Sequence, residues 1–546
     1  FLPDRVCLDE ESLKPSPMSR SIFSPLLKLA ALTIALCFTR NVEGAEKRPN
    51  IVYIMTDDHA YHALSCYGSK VNQTPNLDRL ATTGIRFNNA FVTNSICTPS
   101  RATMLTGKYS HRNGTPVFNR FDGEQQTVAK ILQKGGYHTL MVGKWHLGSD
   151  PTGFDSWNIL PGQGRYMDPV LYDAKGAKVY EGYATDVITD IGIEMVRSRP
   201  KDKPFFLMLH HKAPHREWEP DAKNKALFAN RLIPEPATLR DDYATRPAAL
   251  PANQQTVFKD LTRRDLKLVP PEELKGPSRN QWLSVKPDSV EVTIGGEKRT
   301  LTGADLDSWK YQRYMQDYLA CVQGVDDNVG RFMEWLKNEG LAENTLVIYT
   351  ADNGFFLGDN GMYDKRFMYE PSLHIPLLIT GPGVKPGAVT DAFAINPDFA
   401  PTFLDFAGLP IPSDMQGRSL KPVLTGKVPD DWRKSMYYRY YHDPGHHNTR
   451  AHYGVRTATH KLIHYWKVGG WELFDLKADP NEQKNLYGQA SMASITAELK
   501  AELSRLKRDL QDEDQFAAEL PKDGVDGGVL RWAEGYGPQG PKVPRP

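Results

Sequence analysis

Several runs of apolar residues along the chain end in clusters of polar residues. Residues 49–58 read PNIVYIMTDD, residues 203–215 read KPFFLMLHHKAPH, and residues 344–354 read NTLVIYTADNG. A further run at 375–383, IPLLITGPG, ends in a turn. Continuous apolar runs of this length are typical of strands buried on both faces, as in parallel or mixed α/β sheets. The pattern therefore predicts an α/β fold built around a buried sheet.

Helical patterns lie between these runs. Residues 123–136 carry apolar side chains at Val128, Ile131 and Leu132 before a Gly stop, and residues 317–340 have a similar stripe and stop. Ligands of open α/β sheets bind at the carboxyl ends of the strands, and the first three apolar runs carry their polar clusters at that end. Segments about 300 residues apart in the sequence can thus converge on one site.

The pattern changes from about Pro429 onward. Three β-rich stretches typical of antiparallel strands, followed by one helical stretch, occupy residues 434–442, 452–466, 471–476 and 491–511. We therefore expect a catalytic domain at residues 46–430. Residues 431–546 are predicted to form a smaller α+β domain with an antiparallel sheet, ending in a Gly/Pro-rich tail from Asp523.

Composition narrows the function classes. The 546 residues have a formal net charge of +1, with 40% hydrophobic and 24% charged residues, as in ordinary globular proteins. Because no basic surplus is available to neutralise phosphates, a nucleic-acid partner is not expected. Five Cys residues do not make a disulfide scaffold. Cys66 and Cys321 could pair or remain as buried thiols, and the sequence leaves both alternatives open.

The N-terminal region has the pattern of a secretory signal. A short basic segment begins at Met18, an apolar stretch covers residues 21–38, and small residues follow near Gly44 and Ala45. Residues 1–45 are therefore expected to be an upstream extension and a signal peptide, which predicts a secreted or periplasmic protein without stable membrane association. The alternative is an uncleaved membrane anchor, for which the stretch is marginal in length.

Two pairs of oxygen-bearing side chains follow predicted strands. Asp57 and Asp58 end the first apolar run, and Asp352 and Asn353 end the third. Oxygen ligands without His or Cys partners suit a hard cation such as Ca²⁺ or Mg²⁺. The alternative is that these residues only close the turns after the strands.

Residues 97–107, CTPSRATMLTG, contain an uncommon motif, C-x-P-S-R-x-x-x-L-T-G. Alone, Cys97 would be read as a small buried hydrophobic residue or as half of a disulfide. The motif, however, resembles the maturation signature of the type I sulfatases. The resemblance implies that a maturation enzyme, a formylglycine-generating or sulfatase-maturating enzyme, oxidises Cys97 to Cα-formylglycine. It also implies an alkaline-phosphatase-like sulfatase fold, with a large mixed sheet flanked by helices.

Three further segments match the sulfatase pattern in the family's order: GKWHLG at 143–148, HHKAPH at 210–215 and MYDKRFMYE at 362–370. Together the matches run from Pro49 to about Pro376. The resemblance implies a catalytic set of Cys97, Arg101, Lys144, His146, His215 and Lys365. Arg101 would pair with the formylglycine hydrate, and the two Lys residues would stabilise the charge on the sulfate. His215, helped by Lys365, would serve the leaving group and His146 the hemiacetal, or the two histidines would have the reverse roles.

The same resemblance assigns Asp57, Asp58, Asp352 and Asn353 to a Ca²⁺ site, with the modified Cys97 side chain as a further ligand. One hydroxyl of the hydrate would attack sulfur, and deprotonation of the other would expel sulfate. A Ser or Cys nucleophile lacks the second hydroxyl and could not complete that step.

The C-terminal stretches resemble those of sulfatases that act on sulfated sugars, in particular N-acetylglucosamine-6-sulfatase-like members. We therefore expect a sulfated carbohydrate substrate, with exo-acting cleavage of a 6-O-sulfated N-acetylhexosamine preferred. His374, which stands where an Arg is common in the family, and His452 and Arg456 are candidate substrate contacts. For His452 and Arg456 the alternative is ordinary strand surface.

Three other functions compete with this interpretation. An arylsulfatase would share the same chemistry on a smaller ester. A phosphatase or phosphonate hydrolase of the same superfamily would use Thr or Ser as nucleophile and His-ligated zinc, which the Cys97 motif and the oxygen-only ligand set disfavour. A sugar-binding protein would retain an unconverted Cys97, which the mass of the Cys97 peptide would reveal.

Overall fold

Four parallel strands form the centre of a ten-stranded mixed sheet in the computed structural model of the protein. Numbered in chain order, they are β1 Asn50–Thr56, β2 His138–Lys144, β3 Phe205–His210 and β4 Thr345–Ala351. Their spatial order is β4-β1-β3-β2, and every neighbouring pair is parallel. The carboxyl ends of all four strands therefore lie at one edge of the sheet.

Six outer strands extend this centre on both sides. Beyond β4 lie, in order, Leu377–Thr380, Ile85–Phe87 and Ala388–Thr390. Beyond β2 lie Ser156–Leu160, Val170–Asp173 and Gly176–Val179. The first of these pairs in parallel with β2, whereas the strand next to β4 is antiparallel to it, so the sheet is mixed as the apolar runs predicted.

The apolar runs form strands because both faces of the sheet are covered. Val52 and Ile54 of β1 pack into one core, and Tyr53 and Met55 pack into a second core on the opposite face. Alternate side chains along a strand point to opposite faces, so a strand between two cores needs a continuous apolar run. All seven residues of β1 are buried.

Helices flank the sheet and connect its strands. Those with α-helical geometry are Pro75–Thr83, Cys97–Thr106, Ser110–Asn113, Val128–Lys134, Ala184–Arg197, Ala222–Phe228, Val257–Asp260, Gly276–Leu283, Gly303–Asn338, Glu370–Leu373, Phe399–Phe406, Lys421–Leu424 and Ala493–Asp509. Short 3-10 turns occur at Tyr61–Ala63, Ser65–Tyr67, Ala342–Asn344, Asp359–Gly361, Asn396–Asp398, His446–Asn448 and Ala490–Met492. The helix predicted at 123–136 begins only at Val128, because Thr127 caps it by accepting a hydrogen bond from Lys130 N. The helix predicted at 317–340 begins earlier, at Gly303.

A second, antiparallel sheet of four strands lies in the C-terminal part. Its strands, in spatial and chain order, are Ser435–Tyr440, His452–Thr457, His460–His464 and Trp471–Asp475. Leu499 and Leu503 of the Ala493–Asp509 helix belong to the same apolar core as this sheet. The predicted antiparallel strands and the helix after them are thus confirmed. Two-stranded pairs complete the described strands: Ala90–Phe91 with Ala394–Ile395, Val290–Ile294 with Glu297–Leu301, Phe356–Leu357 with Tyr363–Asp364, and Tyr536–Gly537 with Gly540–Pro541.

The structure describes residues 48–525, 536–537 and 540–541, and Arg48–Pro546 form one compact unit. The predicted upstream extension and signal peptide, residues 1–45, and most of the Gly/Pro-rich tail lie outside the described residues. Among the described residues, no helix has the length and apolar character to cross a membrane. Cys66 and Cys321 are free thiols. The domain division after residue 430 stays a prediction.

Candidate active site

The strand register brings the two predicted acidic pairs together. Thr56, the last residue of β1, lies opposite Ala351, the last residue of β4. Asp57 and Asp352 are the next residues on their chains, so they leave the sheet side by side. Asp58 N donates a hydrogen bond to Asp352 Oδ1 at 3.2 Å, which ties the two loops. The convergence predicted from polar strand ends is therefore confirmed.

Cys97 is the first residue of the Cys97–Thr106 helix and lies against this pair. Its side chain is buried, and its Sγ lies 3.5 Å from Asp57 Oδ1. Every residue of the helix is buried, so the C-T-P-S-R motif is held on all sides. Burial raises the pKa of the Cys97 thiol well above its usual range, with the positive charge of Lys365 acting in the opposite direction. The encoded thiol is therefore a poor nucleophile in its own right.

Each of the three carboxylates in the cluster has its own cation. Arg101 Nε and Nη2 donate to Asp352 Oδ2 at 2.9 and 2.7 Å. Lys144 Nζ pairs with Asp57 Oδ2. Lys365 Nζ lies 2.5 and 2.6 Å from the two oxygens of Asp58. All six side chains are buried, so these ion pairs are little screened by water.

Electrostatics in this cluster follow from burial and from these cations. Burial alone would raise the pKa of Asp57, but Lys144 and the neighbouring cations hold that pKa well below its usual range. Burial, reinforced by the negative charge of Asp57, raises the pKa of Asp352 to about 7. Burial together with Lys144 keeps the pKa of His215 well below its usual range. Neutral His215 is thus the favoured form in this structure.

The two predicted catalytic histidines follow different strands of the central sheet. His215 Nε2 lies 3.6 Å from Asp58 Oδ2, in the loop that follows β3. His146 follows β2 with a positive φ of 52°, and its carbonyl accepts a hydrogen bond from Thr98 Oγ1 at 2.8 Å. Gln163 links Lys144 to His146. Its Oε1 accepts a hydrogen bond from Lys144 Nζ at 2.6 Å, and its Nε2 lies 3.4 Å from His146 Nε2.

The oxygen-bearing residues fit a hard cation. Ligand atoms of Asp57, Asp58, Cys97 and His215 lie within 4.8 Å of one another. Asn353 Nδ2 donates to Asp58 Oδ1 at 2.6 Å, whereas its Oδ1 is buried without a hydrogen-bond partner among the described residues. A buried carbonyl oxygen beside converging carboxylates is the donor chemistry that Ca²⁺ and Mg²⁺ prefer. Asp57, Asp58, Asp352 and Asn353 are therefore suited to hold such an ion.

Comparison with known proteins identifies the family. The family model described as Sulfatase matches residues 49–409, which includes every residue of the cluster. The chain belongs to the sulfatase family. A second family model, described as N-sulphoglucosamine sulphohydrolase, C-terminal, matches residues 358–509 of this sulfatase.

Relatives of this sulfatase include enzymes named for sugar sulfates. It is 48% identical over 510 residues to an N-acetylglucosamine-6-O-sulfatase of Bacteroides thetaiotaomicron, covering 90% of this chain and 91% of the relative. It is 27% identical over 456 residues to human N-acetylglucosamine-6-sulfatase, covering 78% of this chain and 73% of that one. These matches confirm the predicted sulfuric ester hydrolase.

Solved structures agree with the predicted fold. A structure described as BT4656 in complex with its substrate D-glucosamine-2-N,6-O-disulfate is 45% identical, with a TM-score of 0.80 over 87% of this sulfatase and 100% of that chain. A phosphonate monoester hydrolase of Agrobacterium radiobacter, 23% identical, has a TM-score of 0.65 over 85% of this chain and 96% of that one, and shows the fold alone. The alkaline-phosphatase-like sulfatase fold is therefore confirmed.

The three predicted substrate contacts of the sulfatase lie outside the catalytic cluster. His374 is buried and stacks on Tyr61, with ring centres 3.8 Å apart. Arg456 is buried and lies 3.2 Å from both oxygens of Glu370. Both side chains are thus engaged by other residues of the protein. Their contact with substrate stays a prediction.

The prediction for His452 needs correction. Its side chain is 0% exposed, its Nε2 accepts from Met368 N at 3.1 Å, and its Nδ1 bonds the Arg450 carbonyl at 2.8 Å. Aromatic rings surround it, including Tyr465 at 5.2 Å between ring centres. His452 is thus a buried packing residue of the sheet. The alternative interpretation, that it lies on an ordinary strand surface, is also wrong.

Sequence reasoning missed a group of charged side chains beside Lys365. Asp364 and Arg366 flank it with positive φ values of 73° and 93°, conformations that cost energy for these residue types. Arg366 Nη1 lies 2.6 Å and His447 Nε2 lies 2.9 Å from the Asp364 carboxylate. The only sequence signal for Asp364 and Arg366 was their position on either side of Lys365. His447 had no such signal, because it comes from a distant loop.

Proposed function

We propose that this sulfatase hydrolyses the 6-O-sulfate ester of N-acetylglucosamine, or of a closely related glucosamine, in a glycosaminoglycan or other sulfated glycan, through a formylglycine made from Cys97. The observation that carries the proposal is the burial of Cys97 at a helix start, with its Sγ 3.5 Å from Asp57 Oδ1. The substrate assignment is supported by the relative that is 48% identical and named for this sugar. The related structure with bound D-glucosamine-2-N,6-O-disulfate supports the same sugar and sulfate position.

The cofactor groups would add two kinds of chemistry to this cluster. The hydrated aldehyde of formylglycine supplies a nucleophilic hydroxyl and a second hydroxyl whose proton is lost when sulfate leaves. Ca²⁺, held by Asp57, Asp58, Asp352 and Asn353, supplies positive charge near the developing sulfuryl charge. The buried Asn353 Oδ1, beside the carboxylates of Asp57, Asp58 and Asp352, suits such a hard cation.

The protein's own cations would then bind the sulfate group. Lys144 and Lys365 are tied to Asp57 and Asp58 in the structure. With a divalent cation bound at those carboxylates, Lys144 and Lys365 would be the groups that hold the sulfate oxygens. Buried donors of this kind stabilise charge that develops in the transition state more strongly than water does.

Proton transfer is assigned to the two histidines. His215 lies in the loop after β3, 3.6 Å from Asp58, and we assign it to the leaving alcohol together with Lys365. His146 lies beyond Lys144 near Gln163, and we assign it to the proton of the hemiacetal hydroxyl. Arg101 is held by its ion pair with Asp352, and we assign it to orienting the site.

A panel of esters tests the proposal. Protein co-expressed with a formylglycine-generating enzyme is incubated with 6-O-, 4-O- and 3-O-sulfated N-acetylglucosamine, an aryl sulfate and an aryl phosphate, and free sulfate or phosphate is measured by ion chromatography. We expect release from the 6-O-sulfate above all others. Preferred release from the aryl sulfate, or from another sugar position, would overturn the substrate assignment.

We also propose that the protein is exported. The support is the pattern of residues 18–45, in which a basic start precedes an apolar stretch and small residues. Fractionation of cells that produce the full chain, followed by N-terminal sequencing, tests this. A mature protein in the periplasm or medium that begins near Ala45 is expected, and an uncleaved cytoplasmic protein would contradict it.

A further inference from the structure

A cleft of about 530 Å³ opens beside the catalytic cluster. Its walls come from the loop at residues 163–167, the loop at residues 212–219 and Arg264. Two lining residues also belong to the catalytic cluster, because Gln163 accepts from Lys144 and His215 lies near Asp58. The cleft is therefore continuous with the site at which the ester is cleaved.

Lys212 in this cleft is a buried cation without a carboxylate partner. Its side chain is 4% exposed, and its Nζ lies 4.7 Å from the centre of the Tyr166 ring. Across the described part of the chain, no carboxylate oxygen lies within 4 Å of Lys212 Nζ, whereas Lys144 and Lys365 are each paired with a carboxylate. The side chain is largely buried, so the ammonium group has few water contacts and no carboxylate to replace them, and an anionic ligand in the cleft would supply that partner.

Two other cations that line the cleft, Arg216 and Arg264, are already neutralised. Arg216 donates to Asp265 with Nε at 2.7 Å and Nη2 at 2.6 Å. Arg264 Nε lies 3.4 Å from Glu217 Oε1. These two arginines line the cleft, but their charges are matched by carboxylates of the protein.

The remaining lining charges leave a positive surplus. Arg165 is exposed at the rim, and among the described residues its side chain donates only to the carbonyl of Asp168, at 3.0 Å. Glu219 is the one lining carboxylate not in an ion pair among the described residues. Lys212 and Arg165 together therefore exceed Glu219 by one positive charge. Burial and the charge of Lys144 lower the pKa of Lys212 to about 8, so the amine stays mostly protonated near pH 7.

Backbone contacts fix Lys212 relative to the proposed leaving-group histidine. His215 N donates to the Lys212 carbonyl at 3.1 Å, and Tyr166 OH donates to the His215 carbonyl at 2.6 Å. The ring that packs on Lys212 Nζ therefore also holds the His215 backbone. Lys212 and His215 line the same cleft, so a sugar whose ester oxygen approaches His215 would have other substituents, or its neighbouring residue, within the cleft that Lys212 lines.

We propose that this cleft, with Lys212 as its main anion-binding group and Arg165 at its rim, binds a second anionic group of the substrate besides the sulfate that is cleaved. The inference rests on the proposed function and specifies its substrate class. The chemistry recognised is a sulfate or carboxylate. It can be an N-sulfate on the same glucosamine or the carboxylate of a neighbouring uronic acid, as in a glycosaminoglycan.

Matched substrates test this with the formylglycine-converted protein. kcat/KM is measured for N-acetylglucosamine-6-O-sulfate, for D-glucosamine-2-N,6-O-disulfate, and for two 6-O-sulfated disaccharides, one with a uronic acid neighbour and one with a neutral hexose neighbour. Lys212→Met is expected to lower kcat/KM about tenfold or more for substrates with the second anion. It is expected to change the singly charged substrates less than about threefold, and Lys212→Arg to restore part of the loss.

Controls separate binding from folding. Lys225→Met, on an exposed helix surface, should leave all four values unchanged. Arg165→Ala removes an exposed side chain and should give a smaller loss in the same direction even if Lys212→Met folds poorly. The disulfated sugar or the uronate disaccharide will identify which anion is recognised.

Equal effects of Lys212→Met on singly and doubly charged substrates, or no effect on either, would overturn this inference alone. Absence of sulfate release from every glucosamine 6-O-sulfate by the wild-type protein would overturn the proposed function and this inference with it.

Discussion

Arg101 and Asp352 form a two-pronged ion pair in which Nε and Nη2 lie 2.9 and 2.7 Å from Asp352 Oδ2, with both side chains buried. The remaining guanidinium nitrogen, Nη1, donates to the Lys144 carbonyl at 2.5 Å. Arg101 thus links the Cys97–Thr106 helix to the ends of β4 and β2. It is the connection that keeps Cys97 in place against the acidic pairs.

Arg101→Ala should damage both stability and activity. It leaves the Asp352 carboxylate buried without a partner, so the free energy of unfolding should fall by about 3–5 kcal/mol. Urea unfolding measures this, and sulfate release from the 6-O-sulfated sugar should be lost. Arg101→Lys retains the charge but not the fork and should lie between the two. A stable, active Arg101→Ala protein would show that the connection is dispensable.

Cys97→Ser should stop turnover after one event. A serine hydroxyl can attack sulfur, but it has no second hydroxyl from which sulfate can be expelled. We expect mass spectrometry of the variant, after incubation with the 6-O-sulfated sugar, to show at most one sulfate group on the peptide that contains residue 97. Cys97→Ala should remain unmodified. Sustained turnover by Cys97→Ser would contradict the hemiacetal mechanism.

Metal binding should be visible in thermal stability without any assay of activity. A cation that binds only the folded protein stabilises it by mass action, by about 2.7 kcal/mol at a hundredfold excess over Kd. We expect Ca²⁺ to raise the Tm of the chelator-treated protein and Zn²⁺ to have a smaller effect. Asn353→Leu removes the buried Oδ1 acceptor and should weaken the Ca²⁺ response. An unchanged Tm with Ca²⁺ would argue against the site.

His452 should make the fold sensitive to acid. Burial lowers its pKa to about 4, against about 6.5 in an unfolded chain. The pKa is depressed in the folded state, so stability is present above about pH 6.5 and is lost as pH falls toward about 4, because the unfolded chain gains a proton first. At about pH 5 this costs about 2 kcal/mol. Urea unfolding at about pH 7.5 and about pH 5 should show a smaller loss for His452→Gln than for the wild type.

The strand-end part of the site was predictable from the sequence. Apolar runs mark strands buried on both faces, and parallel strands at the centre of a sheet end at one edge, so Asp57 and Asp352 had to meet once their runs were adjacent. Lys144, at the end of β2, was predicted only through the resemblance of GKWHLG to the family pattern. The C-T-P-S-R motif located Cys97 independently of the fold.

Strand-end patterns could not predict the loop residues of the site or the groups of side chains that come from distant segments. Gln163 and His447 reach the site from loops that have no periodicity. His452 was predicted to lie at a strand start, open to a sugar. Three aromatic side chains from or next to neighbouring strands enclose it instead: Tyr438, Tyr440 and Tyr465. The sequence pattern did not show that these side chains point toward His452. Lys212 was overlooked because nothing in HHKAPH shows that its amine lacks a carboxylate partner.

The most direct test of the account is the rate of sulfate release from N-acetylglucosamine-6-O-sulfate by two preparations of the same chain. One is produced with a maturation enzyme and one without, and the mass of the Cys97 peptide establishes conversion in each. The account predicts sustained release only from the preparation in which Cys97 is converted. Equal release from the unconverted protein, or no release from protein with confirmed conversion, would contradict it.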